Sequence, residues 1–141
     1  PMPTDFAQPQ LAAEDYDRQI VADFGLEAGS MPIFDIILLG MGDDGHTASL
    51  FPHTAALSVV DRLITTGDKD GQPRLTFTFP LINTARIVIF LISGISKQPA
   101  LAEIFAPTGD AAAYPARGVK PQGELLWLLD ADAGAKLAID K

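Results

Sequence analysis

The stretch IILLGMGDDGHTASLFPH, Ile36 to His53, decides how the rest of the chain is read. A short apolar run ends at Gly40, and glycines recur at Gly42 and Gly45. Two acids, Asp43 and Asp44, stand between the last two glycines, and His46 follows at once. A strand that opens into such a turn has two chemical uses. It can cradle a phosphate, or it can expose a catalytic side chain.

Gly40-x-Gly42-x-x-Gly45 matches the spacing of a dinucleotide-binding turn, and Asp61 lies 21 residues after Gly40. Three features argue against that use. Asp43 and Asp44 occupy the place of the pyrophosphate and would repel it. Pro52 follows Gly45 by seven residues and leaves little room for the long helix the motif opens. Asp61 closes only a ragged apolar run, LSVV, rather than a second strand. In the other reading, the glycines allow tight bends so that Asp44 and His46 project into a cleft. Histidine titrates near neutrality and takes a proton from water. A neighbouring carboxylate fixes its tautomer and stabilises the imidazolium. The pair suits hydrolysis of an ester-like bond. The residues alone leave open a plainer role, a loop histidine that only satisfies local hydrogen bonds.

The other polar residues of the stretch offer less. Ser49 lacks the G-x-S-x-G elbow of a serine nucleophile. His53 follows Pro52 and reads as a surface residue, and Asp43 reads as a solvated turn acid. With two histidines and no cysteine, no zinc site and no cofactor are expected.

The totals bound the rest. A chain of 141 residues, 48% hydrophobic and 20% charged, reads as one globular domain. The formal charge of −8 sets a repulsive field for nucleic acid, so a small anion would bind only where a few cations or helix N-termini are focused. The absence of cysteine fits a reducing compartment. The start, PMPTDFAQPQ, lacks the basic and apolar regions of a signal peptide. The longest apolar run, Ile87 to Ile92, is too short to span a bilayer. A cytoplasmic protein with no membrane partner is the expectation.

Along the chain, residues 1–10 carry three prolines and read as a loop. From Gln10 to Phe24, Leu11, Tyr16, Ile20, Val21 and Phe24 recur at helical spacing, with Glu14, Asp15 and Asp17 placed toward the positive end of the dipole and Gly25 as a stop. Residues 33–39 read as a strand buried on both faces. Leu75 to Phe79, Ile87 to Ile92 and Leu125 to Leu129 read as further strands, and Lys97 to Phe105 as a helix with proline in its first turn. Residues 106–123 read as a long loop, and Ala131 to Lys136 as a short helix. Strands alternating with helices predict an α/β fold with a mostly parallel, Rossmann-like layered sheet and flanking helices. Ligands then bind beyond the carboxyl ends of the strands, where the loops Gly40–Pro52 and Ser93–Lys97 lie.

At these residues the chain resembles the 6-phosphogluconolactonases, which share a superfamily with glucosamine-6-phosphate isomerase/deaminase. LLGMGDDGHTASLFP resembles their signature. RLTFTFPLINTARIVIFLISGISKQPAL (Arg74 to Leu101), PARGVKPQGELLWLLD (Pro115 to Asp130) and DFAQPQLAAEDYDRQI extend the likeness over essentially the whole chain. The deaminase branch resembles this loop through Asp-Gly-His and then runs to Phe-Asn-Glu-Pro, where its glutamate serves acid–base chemistry. Ser49-Leu50-Phe51-Pro52 stands there instead, without an acid, which favours lactone hydrolysis. Family members are longer at the N-terminus. They carry there a glycine- and serine-rich phosphate loop and an Asp-Glu-Arg motif that these residues lack, and the chain begins at Pro1 rather than Met. The resemblance therefore implies the C-terminal portion of a single domain, N-terminally truncated, exposing apolar surface and with little or no activity alone.

The implied substrate is a phosphorylated sugar lactone, 6-phosphogluconolactone. His46 is expected as the general base and Asp44 as its orienting acid, with backbone N–H groups around Gly42 and Gly45 holding the oxyanion. Lys97 follows Gly94 at a helix start and by resemblance contacts the phosphate, with Arg74 and Arg117 as weaker candidates for substrate contact. Phe77, Phe79, Phe90 and Trp127 read as core. Two rivals stand beside this reading: an isomerase or deaminase of the same superfamily, and a non-catalytic domain that senses sugar phosphates. The chain shows neither the helix-turn-helix nor the basic face that a regulator would add.

Overall fold

The computed structural model describes residues 2–3, 5–27 and 29–137. The elements run α1 Pro9–Asp23, β1 Ile36–Leu39, β2 Ile64–Lys69, β3 Gln72–Phe77, α2 Phe79–Asn83, β4 Ile87–Ile92, α3 Gln98–Phe105, β5 Glu124–Leu129 and α4 Ala131–Gly134. The proline-rich start, read as a loop, falls partly outside the described residues. Among the described residues, no helix is long and apolar enough to cross a membrane.

The central sheet is parallel, with β4 between β1 and β5. Ile36 pairs with Ile87 and Ile87 with Glu124, so the three strands start level and their carboxyl ends share one edge. β4 is the run of branched apolar residues that the sequence predicted, with the same bounds. One face of this sheet carries the core. Ile37, Leu39, Val88, Phe90 and Ile92 are buried there with Leu101, Ile104, Ala116 and Val119 from the segments packed against it. Phe90 stacks on Trp127 with centroids 4.0 Å apart and planes 7° from parallel, and Phe105 meets Trp127 edge-on at 5.1 Å.

The opposite face corrects the expectation of a strand buried on both sides. Side chains alternate across a strand, and Ile36, Leu38, Leu91, Leu126 and Leu128 all point away from the core and are exposed, Leu38 by 61%. No described element covers them. The strand itself is also shorter than residues 33–39, because pairing with β4 begins only at Ile36.

Only Leu75 to Phe77 of the predicted strand LTFTF lie in a strand, and of a different kind; Thr78 caps α2 and Phe79 begins it. β3 pairs antiparallel with β2 in a separate hairpin, in register from Ile64 opposite Phe77 to Lys69 opposite Gln72. The turn residues Asp70 and Gly71 both have positive φ, +56° and +78°, as a two-residue hairpin turn demands. The hairpin packs on α1, where Asp17 accepts hydrogen bonds from the amides of Leu63 at 2.8 Å and Ile64 at 3.3 Å. The buried face of α1 consists of Ala12, Ala13 and Ile20, while Leu11 and Phe24 are exposed. The acids of α1 begin at Glu14, beyond its first turn, so Asp17 serves the hairpin rather than the helix dipole.

The two faces of the central sheet predict opposite responses to truncation. Phe90→Ala is expected to cost about 3–5 kcal/mol of stability in denaturant unfolding followed by Trp127 fluorescence. Leu38→Ser on the open face is expected to change it by no more than about 0.5 kcal/mol.

Candidate active site

Because β1, β4 and β5 are parallel neighbours, their exit loops are neighbours too. The β1 loop is cinched by its own backbone. The Gly42 amide donates to the His46 carbonyl at 2.9 Å, and the Gly45 amide to the Gly42 carbonyl at 3.0 Å. The buried Thr47 hydroxyl donates to the Gly40 carbonyl at 2.8 Å. Gly45 takes φ +77°, and its carbonyl accepts from the Ala116 amide at 2.9 Å. A Cβ on Gly45 would come within 2.9 Å of the Tyr114 ring, so the long loop 106–123 braces this turn.

The turn sets His46 against Asp44. The imidazole Nδ1 lies 2.6 Å from Asp44 Oδ1, which also accepts from the His46 amide at 3.1 Å. Burial pushes the Asp44 carboxyl up, but the hydrogen bonds from the backbone and ring of His46 outweigh it and hold the group below the ordinary carboxylate value. An ionised Asp44 accepts from Nδ1–H, which leaves Nε2 as the basic nitrogen. Nε2 has no hydrogen-bond partner among the described residues. The ring is 22% exposed and packs on Phe51 with centroids 4.6 Å apart. Lys69, near the hairpin tip, sits 5.6 Å above the same Phe51 ring. The sequence reading assigned a role to neither: Phe51 lies inside the motif, whereas Lys69, 23 residues after His46, is brought to it only by the hairpin.

Gly42 is the residue that makes the pair possible. A Cβ there would stand 2.1 Å from His46 Nδ1 and 2.6 Å from Asp44 Oδ1.

The β4 exit loop meets the same turn. Lys97 Nζ donates to Asp43 Oδ1 at 2.5 Å, and Ser96 Oγ to the same oxygen at 3.0 Å. Asp43 is therefore more than a solvated turn acid. Its hydrogen bonds to Lys97 and Ser96 hold its carboxyl below the usual range. The structure thus brings His46, Asp44, Gly42, Gly45 and Lys97 together.

Arg74 and Arg117 are placed elsewhere. Arg74 lies on β3 opposite Gly67, beside a groove lined by Met2, Phe6 and Leu75. The Arg117 guanidinium donates to the carbonyls of Glu103 and Ile104 at 2.9 and 2.5 Å and so closes the C-terminal end of α3. A cavity of about 500 Å³ between α1 and β2, lined by Glu14, Asp17, Arg18 and Arg62 among others, includes no residue of the His46 loop.

Fold and site together define an α/β protein with a histidine–carboxylate pair at the carboxyl edge of a parallel sheet. The chain belongs to the glucosamine-6-phosphate isomerase/6-phosphogluconolactonase family, whose model matches residues 1–127. It is 64% identical over 137 residues to a 6-phosphogluconolactonase of Synechocystis sp., covering 97% of this chain and 57% of that protein. It is 56% identical over 138 residues to one of Nostoc sp., covering 98% and 58%. The solved structure of 6-phosphogluconolactonase from Trypanosoma brucei superposes with a TM-score of 0.79 at 30% identity, over 98% of this chain and 57% of that one. The chain thus spans little more than half the length of these relatives.

A methyl group at position 42 must push the imidazole off Asp44. Gly42→Ala is expected to remove the low-field Nδ1 proton resonance of His46 from the NMR spectrum while the dispersed amide signals persist. Asp43 and Asp44 also predict an acid limb in stability. Each titrates below its ordinary value of 3.8 in the fold, so the stability they contribute is present above that value and lost as pH falls through the lower folded values. Asp44→Asn is expected to shrink the fall in denaturation midpoint between about pH 5 and pH 2.

Proposed function

We propose that this chain carries the hydrolytic centre of a 6-phosphogluconolactonase, which opens 6-phospho-D-glucono-1,5-lactone to 6-phosphogluconate. The observation that carries the reading is the 2.6 Å contact between His46 Nδ1 and Asp44 Oδ1, with Nε2 left as the basic nitrogen and without a hydrogen-bond partner among the described residues. Neutral His46 takes a proton at Nε2 from the water that attacks the lactone C1. It returns that proton to the ring oxygen as the C1–O bond breaks. Asp44 holds the tautomer and stabilises the imidazolium between the two transfers.

The amides of Gly42 and Gly45 are engaged inside the turn, so these residues shape the site. The Asp43 amide, which has no acceptor among the described residues, is the donor of this turn best free to meet the oxyanion. Lys97 takes the phosphate and exchanges its contact with Asp43 for one with the substrate. Arg74 and Arg117 have no part in this mechanism.

Isomerisation with deamination is the weaker reading. The family branch that performs it places a glutamate after the shared loop, and this chain has the buried Leu50 and Phe51 in the corresponding stretch.

The test is a chimera in which this segment replaces the matching part of the Synechocystis relative, with lactone opening followed by pH-stat. His46→Ala is expected to lower kcat by about 10²–10⁴, and Asp44→Asn to lower it by less, with KM little changed in both. A variant at position 46 that keeps the parent rate above spontaneous hydrolysis would overturn the reading, as would ammonia release from glucosamine 6-phosphate.

A further inference from the structure

Lys97 reaches the site from a short turn, Ile95–Lys97, that is held from the neighbouring segment. Gly94, which opens the turn, has φ +97° and ψ 151°, a conformation that side-chain-bearing residues rarely adopt. Its carbonyl accepts from the Lys97 amide at 3.2 Å. Its amide is gripped from the next strand: Asp130, directly after β5, accepts from Gly94 N–H with both carboxylate oxygens, at 3.1 and 3.0 Å. The Asp130 amide donates in turn to the Ile92 carbonyl at 3.1 Å and extends the β4–β5 ladder by one bond. The carboxylate also caps α4 by accepting from Ala133 N–H at 2.8 Å. Hydrogen bonds from the Ala133 and Gly94 amides favour its charged form and hold it below its ordinary value. The Gln98 side chain, just past Lys97, ties the same two segments by donating to the Asp132 carbonyl at 2.7 Å.

These contacts form a continuous path: Asp130 to Gly94, Gly94 to Lys97, Lys97 to Asp43, and Asp43 beside Asp44, the partner of His46. The Lys97 side chain is only 21% exposed, against 64% for Asp43. The cation is the rooted member of that pair, and its root is the turn that Asp130 holds.

We propose that Asp130 is a positioning residue for phosphate binding. By fixing the Gly94 amide it sets the turn that aims Lys97 at the phosphate of the substrate, an inference that rests on the role given above to Lys97. Asp130 touches neither the lactone nor His46. It governs how tightly the phosphate end is held, and leaves the proton transfers unchanged.

The decisive variant is Asp130→Ser. Serine is a good helix N-cap and can keep the bond to Ala133. Its hydroxyl lies one atom closer to the backbone and does not reach Gly94 with two acceptors. Inorganic phosphate is titrated into the 141-residue chain at constant ionic strength, read from the amide resonances of Gly94 to Lys97. The same variant is assayed in the chimera. The expected result is phosphate affinity weakened about fivefold, on the order of one hydrogen bond, and a matching rise in KM with kcat within about twofold of the parent. Asp130→Asn, which keeps one carbonyl acceptor, should recover part of the affinity. Lys97→Gln is the control for the underlying reading. If it leaves phosphate binding and KM unchanged, Lys97 does not hold phosphate and this proposal falls with it. If Lys97→Gln weakens binding while Asp130→Ser does not, only the positioning role is overturned. A fall in kcat at constant KM for Asp130→Ser would overturn it equally.

Discussion

The imidazole of His46 occupies the space that any side chain at position 42 would fill. That exclusion shapes the site. It permits the Gly42 amide to close on the His46 carbonyl, and it lets Asp44 reach both the ring and the amide of the histidine two residues on. The remaining contacts serve to keep this small ring of backbone closed. Thr47 draws it back to the end of β1, and Tyr114 and Ala116 press on Gly45 from the far side.

Sheet topology supplies the second half of the arrangement. A histidine and an acid two residues apart need only a turn, whereas Lys97 is 54 residues from Asp43. The two meet because β1 and β4 run parallel side by side and release their loops at one edge. β5 ends at that edge as well and delivers Asp130 to Gly94. Three loops that are remote in sequence are thereby joined by charged hydrogen bonds over a short distance. This is the general advantage of placing chemistry at the carboxyl ends of parallel strands.

What could be read beforehand follows from which forces act locally. β4 was legible to the residue, because six consecutive branched or aromatic apolar residues between polar flanks have few other uses. The Asp44–His46 pair was legible because the turn that joins them is built from its own glycines. β2 was not, since ITTGDK carries no apolar pattern, and its strand character comes from pairing with β3; the Asp70-Gly71 turn was the one local sign of it. The five-residue α2, begun by the Thr78 cap, is too short to show a period. The Asp43–Lys97 bond, the tilted packing of His46 on Phe51 and the bracing by Tyr114 are products of tertiary packing, and no spacing rule announces them. Arg117 looked like a loop cation free to meet an anion, but the α3 carbonyls it satisfies lie 13 and 14 residues away in the chain.

The apolar side of the central sheet, with Ile36, Leu38, Leu91, Leu126 and Leu128 turned to solvent, ties folding to company. A layer that binds this face in the folded chain and not in the unfolded one adds RT ln(1 + [L]/Kd) to its stability. The thermal midpoint of such a chain is then a property of the solution as much as of the sequence. It would rise with the concentration of any molecule that binds those side chains only in the folded chain.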